Sequence, residues 1–147
     1  MATFVSPIQQ LVVTAGAYAA LDGVGAKGSF TSVPRSGVIM GCTLYDGAKQ
    51  VASPLYVNLF NADFTGVTDN AAWNITSADR TKLVGGIHIL AADYRTATDN
   101  AYATVDNIGL PYYAPAGILY FQLSTPVAST PTYAATTDLS IGISIVY

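Results

Sequence analysis

The segment Leu139-Ser140-Ile141-Gly142-Ile143-Ser144-Ile145-Val146 decides the fold class. A large aliphatic residue recurs at every second position, and small or polar residues stand between them until Val146. Successive side chains of a β-strand point to opposite faces of its sheet, so this period of two predicts a strand with one buried face.

Three segments upstream carry the same period. Ile118–Leu123 has apolar bulk on both faces, which is typical of a strand in the middle of a sheet. Leu55–Phe60 follows Pro54, and a proline fits only at the start of such a strand. Val38–Tyr45 leads into an Asp-Gly turn signal, and we expect it to form a hairpin with Leu55–Phe60. The shorter candidate strands are Ile8–Val13, Gly28–Val33, Ile87–Leu90 and Ala101–Val105.

These strands predict an all-β fold, a single antiparallel β-sandwich domain over residues 1–147, with the jelly roll as one candidate topology. One short helix is expected. Thr76 can cap its start, Asp79 suits the positive end of its dipole, and the Gly-Gly pair at 85–86 can end it. The stretch Ala91–Gly117 is the least regular, and we interpret its segment Pro111–Pro115 as an extended loop.

The composition says little about chemistry and more about the surface. Only 10% of the 147 residues are charged and 51% are hydrophobic, whereas an ordinary soluble domain is about 25% charged. A small domain has a high ratio of surface to volume, so uncharged side chains must cover much of it. The chain is either a monomer rich in Thr and Ala or a protein whose surface is partly buried against other subunits. The mean hydropathy of +0.39 favours the second explanation.

Charge and hydropathy patterns bear on the partners. The six Lys and Arg residues are scattered and the net charge is -3, so direct binding to nucleic acid is not expected. The longest largely apolar stretch, Leu11–Leu21, is too short to span a bilayer, so no membrane partner is expected either. The N-terminal residues lack the pattern of a signal peptide, which predicts synthesis in a cytoplasm.

The sequence is poor in catalytic residues. His88 is the only histidine and lies on the strand face opposite Ile87 and Ile89, where a structural role is expected. Cys42 is the only cysteine, and its apolar setting predicts a buried thiol. Asp63 and Asp69 are interpreted as solvated turn residues, and the glycine-rich stretch 22–28 as a flexible turn. We therefore expect no enzyme activity, no metal site and no cofactor.

Three aromatic residues are candidates for an interface. Trp73 either anchors a partner or pins the short helix to the sheet. Tyr112 and Tyr113 lie between two prolines and offer amphipathic contact area, either to a partner or to their own domain.

Several short motifs resemble a known family. They are Leu59-Phe60, Thr68–Trp73, Ala78-Asp79 and Leu83-Val84-Gly85, with Ser36–Ile39 before them and Pro131–Tyr133 and Thr137–Leu139 after them. In this order the motifs are similar to those of small structural proteins of tailed-phage virions, the capsid decoration or cement proteins. The resemblance covers roughly Ser36–Tyr147, and Trp73 stands where the family pattern has Phe.

The resemblance implies a virion component with no catalytic residues. Such a protein is assembled in the host cytoplasm, binds the outer capsid surface and stabilises the shell by bridging subunits of the major capsid protein. It also implies self-association, as a homotrimer before a homodimer. The alternative is a carbohydrate-binding adhesin or fibre head that uses Trp73, Tyr112 and Tyr113. An enzyme with His88 as its sole candidate base is the third hypothesis.

Overall fold

The computed structural model describes all residues, Met1–Tyr147, and consists almost entirely of antiparallel strands. The strands are β1 (Thr3–Val5), β2 (Gln9–Gln10), β3 (Gly23–Thr31), β4 (Ser36–Asp46), β5 (Leu55–Phe60), β6 (Leu83–Ile89), β7 (Tyr94–Thr96), β8 (Ala101–Tyr113), β9 (Ile118–Ser124) and β10 (Leu139–Val146). Short 3-10 turns at Arg80–Lys82 and Ala91–Asp93 are the helical elements.

Two sheets pack face to face. The six-stranded sheet has the order β1-β10-β4-β8-β7, and β2 also pairs with β10 beyond the end of β1. The four-stranded sheet has the order β3-β9-β5-β6. Because β1 and β2 together act as the first strand, this order, with β7 added at one edge, is that of a jelly roll. The predicted all-β sandwich is confirmed.

The core lies between the inner faces of the two sheets. A cluster of 27 buried residues fills it, and the alternating aliphatic residues of β10 and β9 form much of that cluster. The strand at Leu139–Val146 has the predicted bounds, and β9 lies in the middle of its sheet as its two apolar faces indicate. Burial of these side chains provides the main favourable term in folding.

The predicted hairpin between Val38–Tyr45 and Leu55–Phe60 is wrong. β4 pairs with β10 and β8, whereas β5 pairs with β6 and β9 in the other sheet. The turn signal after β4 is used to cross from one sheet to the other. Buried Asp46 accepts hydrogen bonds there from the backbone N–H groups of Ala48 and Gln50, at 2.8 and 2.9 Å.

The predicted short helix is also wrong. Only Arg80–Lys82 form a 3-10 turn, and β6 begins at Leu83, so Gly85 and Gly86 lie within a strand. The Thr76 hydroxyl accepts a hydrogen bond from the Asp79 N–H at 3.3 Å and donates to the Asp79 carboxylate at 2.6 Å, but no helix follows for it to cap. Asp79 also accepts hydrogen bonds from Thr65 and Lys82, which bind the segment between β5 and β6 into a compact loop.

Segments that we expected to be irregular are strands with bulges. β8 is the longest strand and extends to Tyr113, so Pro111 and Tyr112 belong to the sheet and not to a loop. Pro111 is tolerated because β7 pairs only with the first residues of β8. At Pro111, β8 is therefore an edge strand, which can lack a donor. The glycine-rich stretch 22–28 is the start of β3, not a flexible turn, and it bulges between Val24 and Gly28. Of the predicted strand Ile8–Val13, only Gln9–Gln10 pair.

Candidate interaction surface

The three predicted interface residues lie apart. Trp73 is half-buried in the loop between β5 and β6, where its backbone N–H donates to the Leu21 carbonyl at 2.7 Å. Tyr112 is buried, and its hydroxyl donates to the Pro34 carbonyl at 2.8 Å. Burial raises the pKa of Tyr112 to about 12. Tyr113 alone presents most of its side chain to solvent, with an exposed fraction of 63%.

A different surface gathers apolar and aromatic side chains: the outer face of the six-stranded sheet, which faces away from the core. The register joins its outward residues into three rows across the strands. The rows are Ser140–Tyr45–Tyr102–Arg95, then Gly142–Thr43–Thr104, then Val5–Ser144–Gly41–Asp106. We call this surface the outer face.

The first row carries the two large aromatic side chains of this face. Tyr45 and Tyr102 are directly opposite each other on β4 and β8, and both are exposed. Opposed residues on one face of an antiparallel pair have Cβ atoms about 4.5–5.5 Å apart, so the two side chains leave the sheet next to each other. We call this pair, which lies near one end of β4 and β8, the aromatic ridge.

The third row and its surroundings form a depression of about 200 Å³. Gly41 and Gly142 form its floor because they have no side chains, and the exposed aliphatic residues Val5 and Ile8 form one wall. The side chain of Ile8 lies close over Gly142, where an added Cβ atom would be 2.8 Å from its Cδ1. The remaining lining residues are Ser6, Cys42, Thr43, Tyr45, Asp106, Ile143 and Ser144.

Charge is scarce on this face. Arg95 stands at one end of the first row and Asp106 at one end of the third, and neither takes part in an ion pair. Both ion pairs of the molecule lie elsewhere, between Lys27 and Asp63 and between Lys82 and Asp79. The outer face therefore carries one unpaired cation and one unpaired anion on a largely uncharged surface.

A second group of exposed side chains lies at the end of the same sheet, and we call it the strand-end patch. Met1, Tyr113 and Tyr147 are all exposed there. Tyr113 pairs with Ser36 at the start of β4, and the backbone of Tyr147 pairs with Ala2. Tyr45 and Ser36 are nine residues apart on β4, which places the patch about 30 Å from the aromatic ridge.

The titratable residues singled out in the sequence serve the fold. His88 is exposed and lies against the ring of Tyr56, with centroids 4.3 Å apart, on the face opposite Ile87 and Ile89. Cys42 is buried as predicted, and burial raises the pKa of its thiol to about 12.

The two turn carboxylates do not converge on a cleft. Asp69 accepts hydrogen bonds from the Tyr18 hydroxyl at 2.6 Å and from the Gly25 N–H at 2.7 Å, so it holds loops together. The prediction that the Asp69 carboxylate faces solvent is therefore wrong. Asp63 pairs with Lys27. No three His, Cys, Asp or Glu side chains come close enough to share a metal ion. None of the helical elements has the length and apolarity that crossing a membrane requires.

The outer face was not identified as a site from the sequence, although one signal was available. Tyr45 and Tyr102 fall within predicted strands, and the period of two places each opposite its buried neighbours Leu44 and Ala103. What the sequence does not reveal is that β4 and β8 are neighbours, and only this pairing places the two side chains in one row.

Comparisons with known proteins add little. No protein-family model matches the chain, and no curated protein sequence matches it. Among solved structures, one from Desmodium yellow mottle tymovirus is similar, with 14% sequence identity and a TM-score of 0.31. The match covers 98% of this chain and 79% of that one. A similarity at this TM-score does not support a statement about function.

Proposed function

We propose that this chain is a structural protein of a tailed-phage virion, a capsid decoration protein that binds the outer surface of the shell and bridges subunits of the major capsid protein. The observation that carries the proposal is that the chain exposes apolar and aromatic residues at two separate places, the strand-end patch and the nearly uncharged outer face. Monomeric soluble proteins rarely leave such a surface free, and exposed apolar patches mark interaction sites.

The fold is compatible with this role. Jelly rolls occur in viral capsid proteins, and also in lectins and cupins, so the topology supports the proposal only by analogy. The motifs that resemble decoration proteins, from Ser36 to Tyr147, cover the strands that build the sandwich and the loop between β5 and β6.

Two separate patches suit a protein with two kinds of neighbour. In this proposal the strand-end patch contacts the shell, because its three exposed residues lie together at the end of the sheet, away from the aromatic ridge. The outer face remains available for self-association. A ligand that binds only the assembled shell stabilises it by mass action, which is the cementing effect.

The carbohydrate-binding alternative receives less support from the geometry. Tyr112 is buried with its hydroxyl already bonded, Trp73 is half-buried, and only Tyr113 is well exposed. These three residues do not form one platform on which a sugar ring could stack.

The proposal is tested with empty capsid shells of the phage that encodes the chain. Shells are heated with and without the purified protein, and the rupture temperature is measured by light scattering. The proposal predicts stoichiometric binding and a higher rupture temperature. Binding without any change in rupture temperature would refute the cementing role, and failure to bind the shells would refute the whole proposal.

Variants test the contact patch. Replacement of both Tyr113 and Tyr147 by Ser removes the exposed rings, and we expect at least a tenfold weaker affinity for shells, since buried aromatic anchors dominate binding energy. Val127→Ser is the matched control, because Val127 is exposed but lies outside the patch. Equal loss of affinity in the control would place the contact elsewhere.

A further inference from the structure

The outer face carries a protrusion and a depression in neighbouring positions. The aromatic ridge of Tyr45 and Tyr102 forms the first row, and the depression extends over the second and third rows, with Tyr45 at its rim. Thr43 and Thr104 form the row midway between them, and they pair directly with each other. The first and third rows are therefore equally distant from the threonine row.

This arrangement is self-complementary. If a second copy packs face to face with its two-fold axis along the threonine row, the first row of each copy lies over the third row of the other. Tyr45 then lies over the partner's Gly41, so the Tyr45 side chain of each copy faces the third-row part of the other copy's depression. An isologous interface requires this kind of relation, in which one surface contains both complementary parts.

The same rotation brings the charged residues of the outer face, Arg95 and Asp106, into complementary positions. The rotation places the partner's Asp106 over Tyr102, beside Arg95, and the reciprocal pair forms at the other end of the interface. Within one chain, Arg95 lies beside Tyr102 and forms no ion pair with Asp106, which is four residues further along β8. The Arg95 guanidinium donates instead to the backbone carbonyls of Ala92 and Tyr94, at 2.9 Å. The two charges that are unpaired on a single copy thus become paired twice in a dimer.

The size of the outer face determines how much surface such a dimer can bury. Five neighbouring strand positions at about 4.8 Å spacing and three rows at about 6.6 Å spacing cover roughly 500 Å² on each copy. The total of roughly 1,000 Å² is at the lower limit for specific interfaces, which is typical of weak, reversible contacts.

We propose that the outer face of the six-stranded sheet binds a second copy of this chain across a two-fold axis that passes along Thr43 and Thr104. The inference concerns the free chain and does not depend on the virion assignment. It gives a dimer in place of the trimer that the family resemblance implies, because a trimer uses a heterologous contact in which no residue faces its own copy.

The test uses single cysteines in the full-length chain. Thr43→Cys and Thr104→Cys each place a thiol beside the axis, and Thr31→Cys is the matched control on an exposed position of β3 in the other sheet. The native Cys42 is buried and does not compete for the reagent. A short bis-maleimide is added at a concentration at which the chain associates, and dimer formation is followed on a denaturing gel.

The inference predicts at least a tenfold greater yield of cross-linked dimer at positions 43 and 104 than at position 31. Equal yields at the three positions, or a trimer in solution with no cross-link at 43 and 104, would overturn it. Each variant is first checked for the melting temperature of the parent chain, so that a folding failure is recognised.

Charge reversal gives a second readout that depends on the symmetry alone. Arg95→Asp and Asp106→Arg each place like charges opposite one another, and we expect each to raise the dimer dissociation constant by about tenfold. The double variant restores both pairs and should recover the affinity of the parent chain. Arg80→Asp is the control, since Arg80 is exposed on the loop between β5 and β6 and forms no ion pair. A double variant no better than the single variants would contradict the proposed pairing.

Discussion

Tyr18 and Tyr133 are neighbouring core residues, and only the hydroxyl of Tyr18 forms hydrogen bonds within the protein. Both are 2% exposed, and their rings meet edge to face with centroids 5.6 Å apart. The Tyr18 hydroxyl donates to Asp69 and accepts from the Thr14 N–H, whereas the Tyr133 hydroxyl has no partner within the protein. A buried polar group without a hydrogen bond reduces stability.

We therefore predict that Tyr133→Phe raises the free energy of unfolding by about 1 kcal/mol, because it removes an unpaired buried hydroxyl. Tyr18→Phe is the matched control and should lower it by about 1–3 kcal/mol, since the Asp69 carboxylate and the Thr14 N–H lose a partner. Urea unfolding of both variants measures the difference. Destabilisation by Tyr133→Phe would indicate that the hydroxyl is satisfied by a buried water molecule.

Asp79 makes the stability depend on pH. Its carboxylate accepts hydrogen bonds from Lys82 and Thr76 and from the Thr65 N–H, and these contacts hold the pKa of Asp79 well below its usual value of 3.8. A group whose pKa is lower in the folded state contributes stability above its unfolded pKa, and that contribution is lost as pH falls below it.

Asp79→Asn should therefore lower the melting temperature at pH 7 and make the loss of stability on acidification below about pH 4 less steep than in the parent chain. Asp99→Asn is a suitable control, because Asp99 is exposed and forms no ion pair. Melting temperatures recorded from pH 7 to pH 3 test this. Parallel curves for the parent chain and Asp79→Asn would show that the carboxylate does not account for the pH dependence.

At the scale of elements, one side chain stabilises two irregular segments at once. Gln122 on β9 is fully buried and lies opposite the bulge of β3. Its amide group donates to the carbonyls of Gly25 and Val67, and its side-chain oxygen accepts from the Val67 N–H at 3.0 Å. The bulged strand and the loop between β5 and β6 thus share one hydrogen-bonding partner.

Gln122→Leu should lower the free energy of unfolding by about 2–4 kcal/mol, because three backbone groups lose their partner and an apolar residue of similar size cannot replace it. Amide exchange should accelerate most at Val67. Asn58→Leu is the control, since its side-chain amide also bonds on this face of β9 but contacts neither the bulge nor Val67. Unchanged exchange at Val67 in the Gln122 variant would contradict this role.

The elements also show what sequence patterns can predict. The period of two fixed Leu139–Val146 and Ile118–Leu123 as strands, because alternation is a local property of the chain. It could not assign partners, so β4 and β5 were paired wrongly although they occupy different sheets. The helix prediction failed because Asp79 bonds to Thr65, a contact that no local pattern encodes. Among the aromatic candidates, the sequence could not distinguish buried Tyr112 from exposed Tyr113 without the edge position of β8.

At the scale of the whole molecule, the ion pairs and the nearly uncharged surface lie on different sides. Both ion pairs lie on the side of the four-stranded sheet and its covering loop, and the six-stranded sheet presents a nearly uncharged outer face. Exposed apolar and aromatic residues stand on that face and at the strand-end patch, while a cluster of 27 buried residues fills the interior. The composition predicted that some surface is buried against neighbours, but only the strand register shows which residues share a face.

The central claim is that this surface is buried against other subunits, and sedimentation equilibrium of the purified full-length chain tests it most directly. Across loading concentrations from about 1 μM to 1 mM, which bracket the affinity expected of a small interface, the mean mass should rise from that of one 15.3 kDa chain towards twice that value. A mass that remains at a single chain throughout would contradict the account.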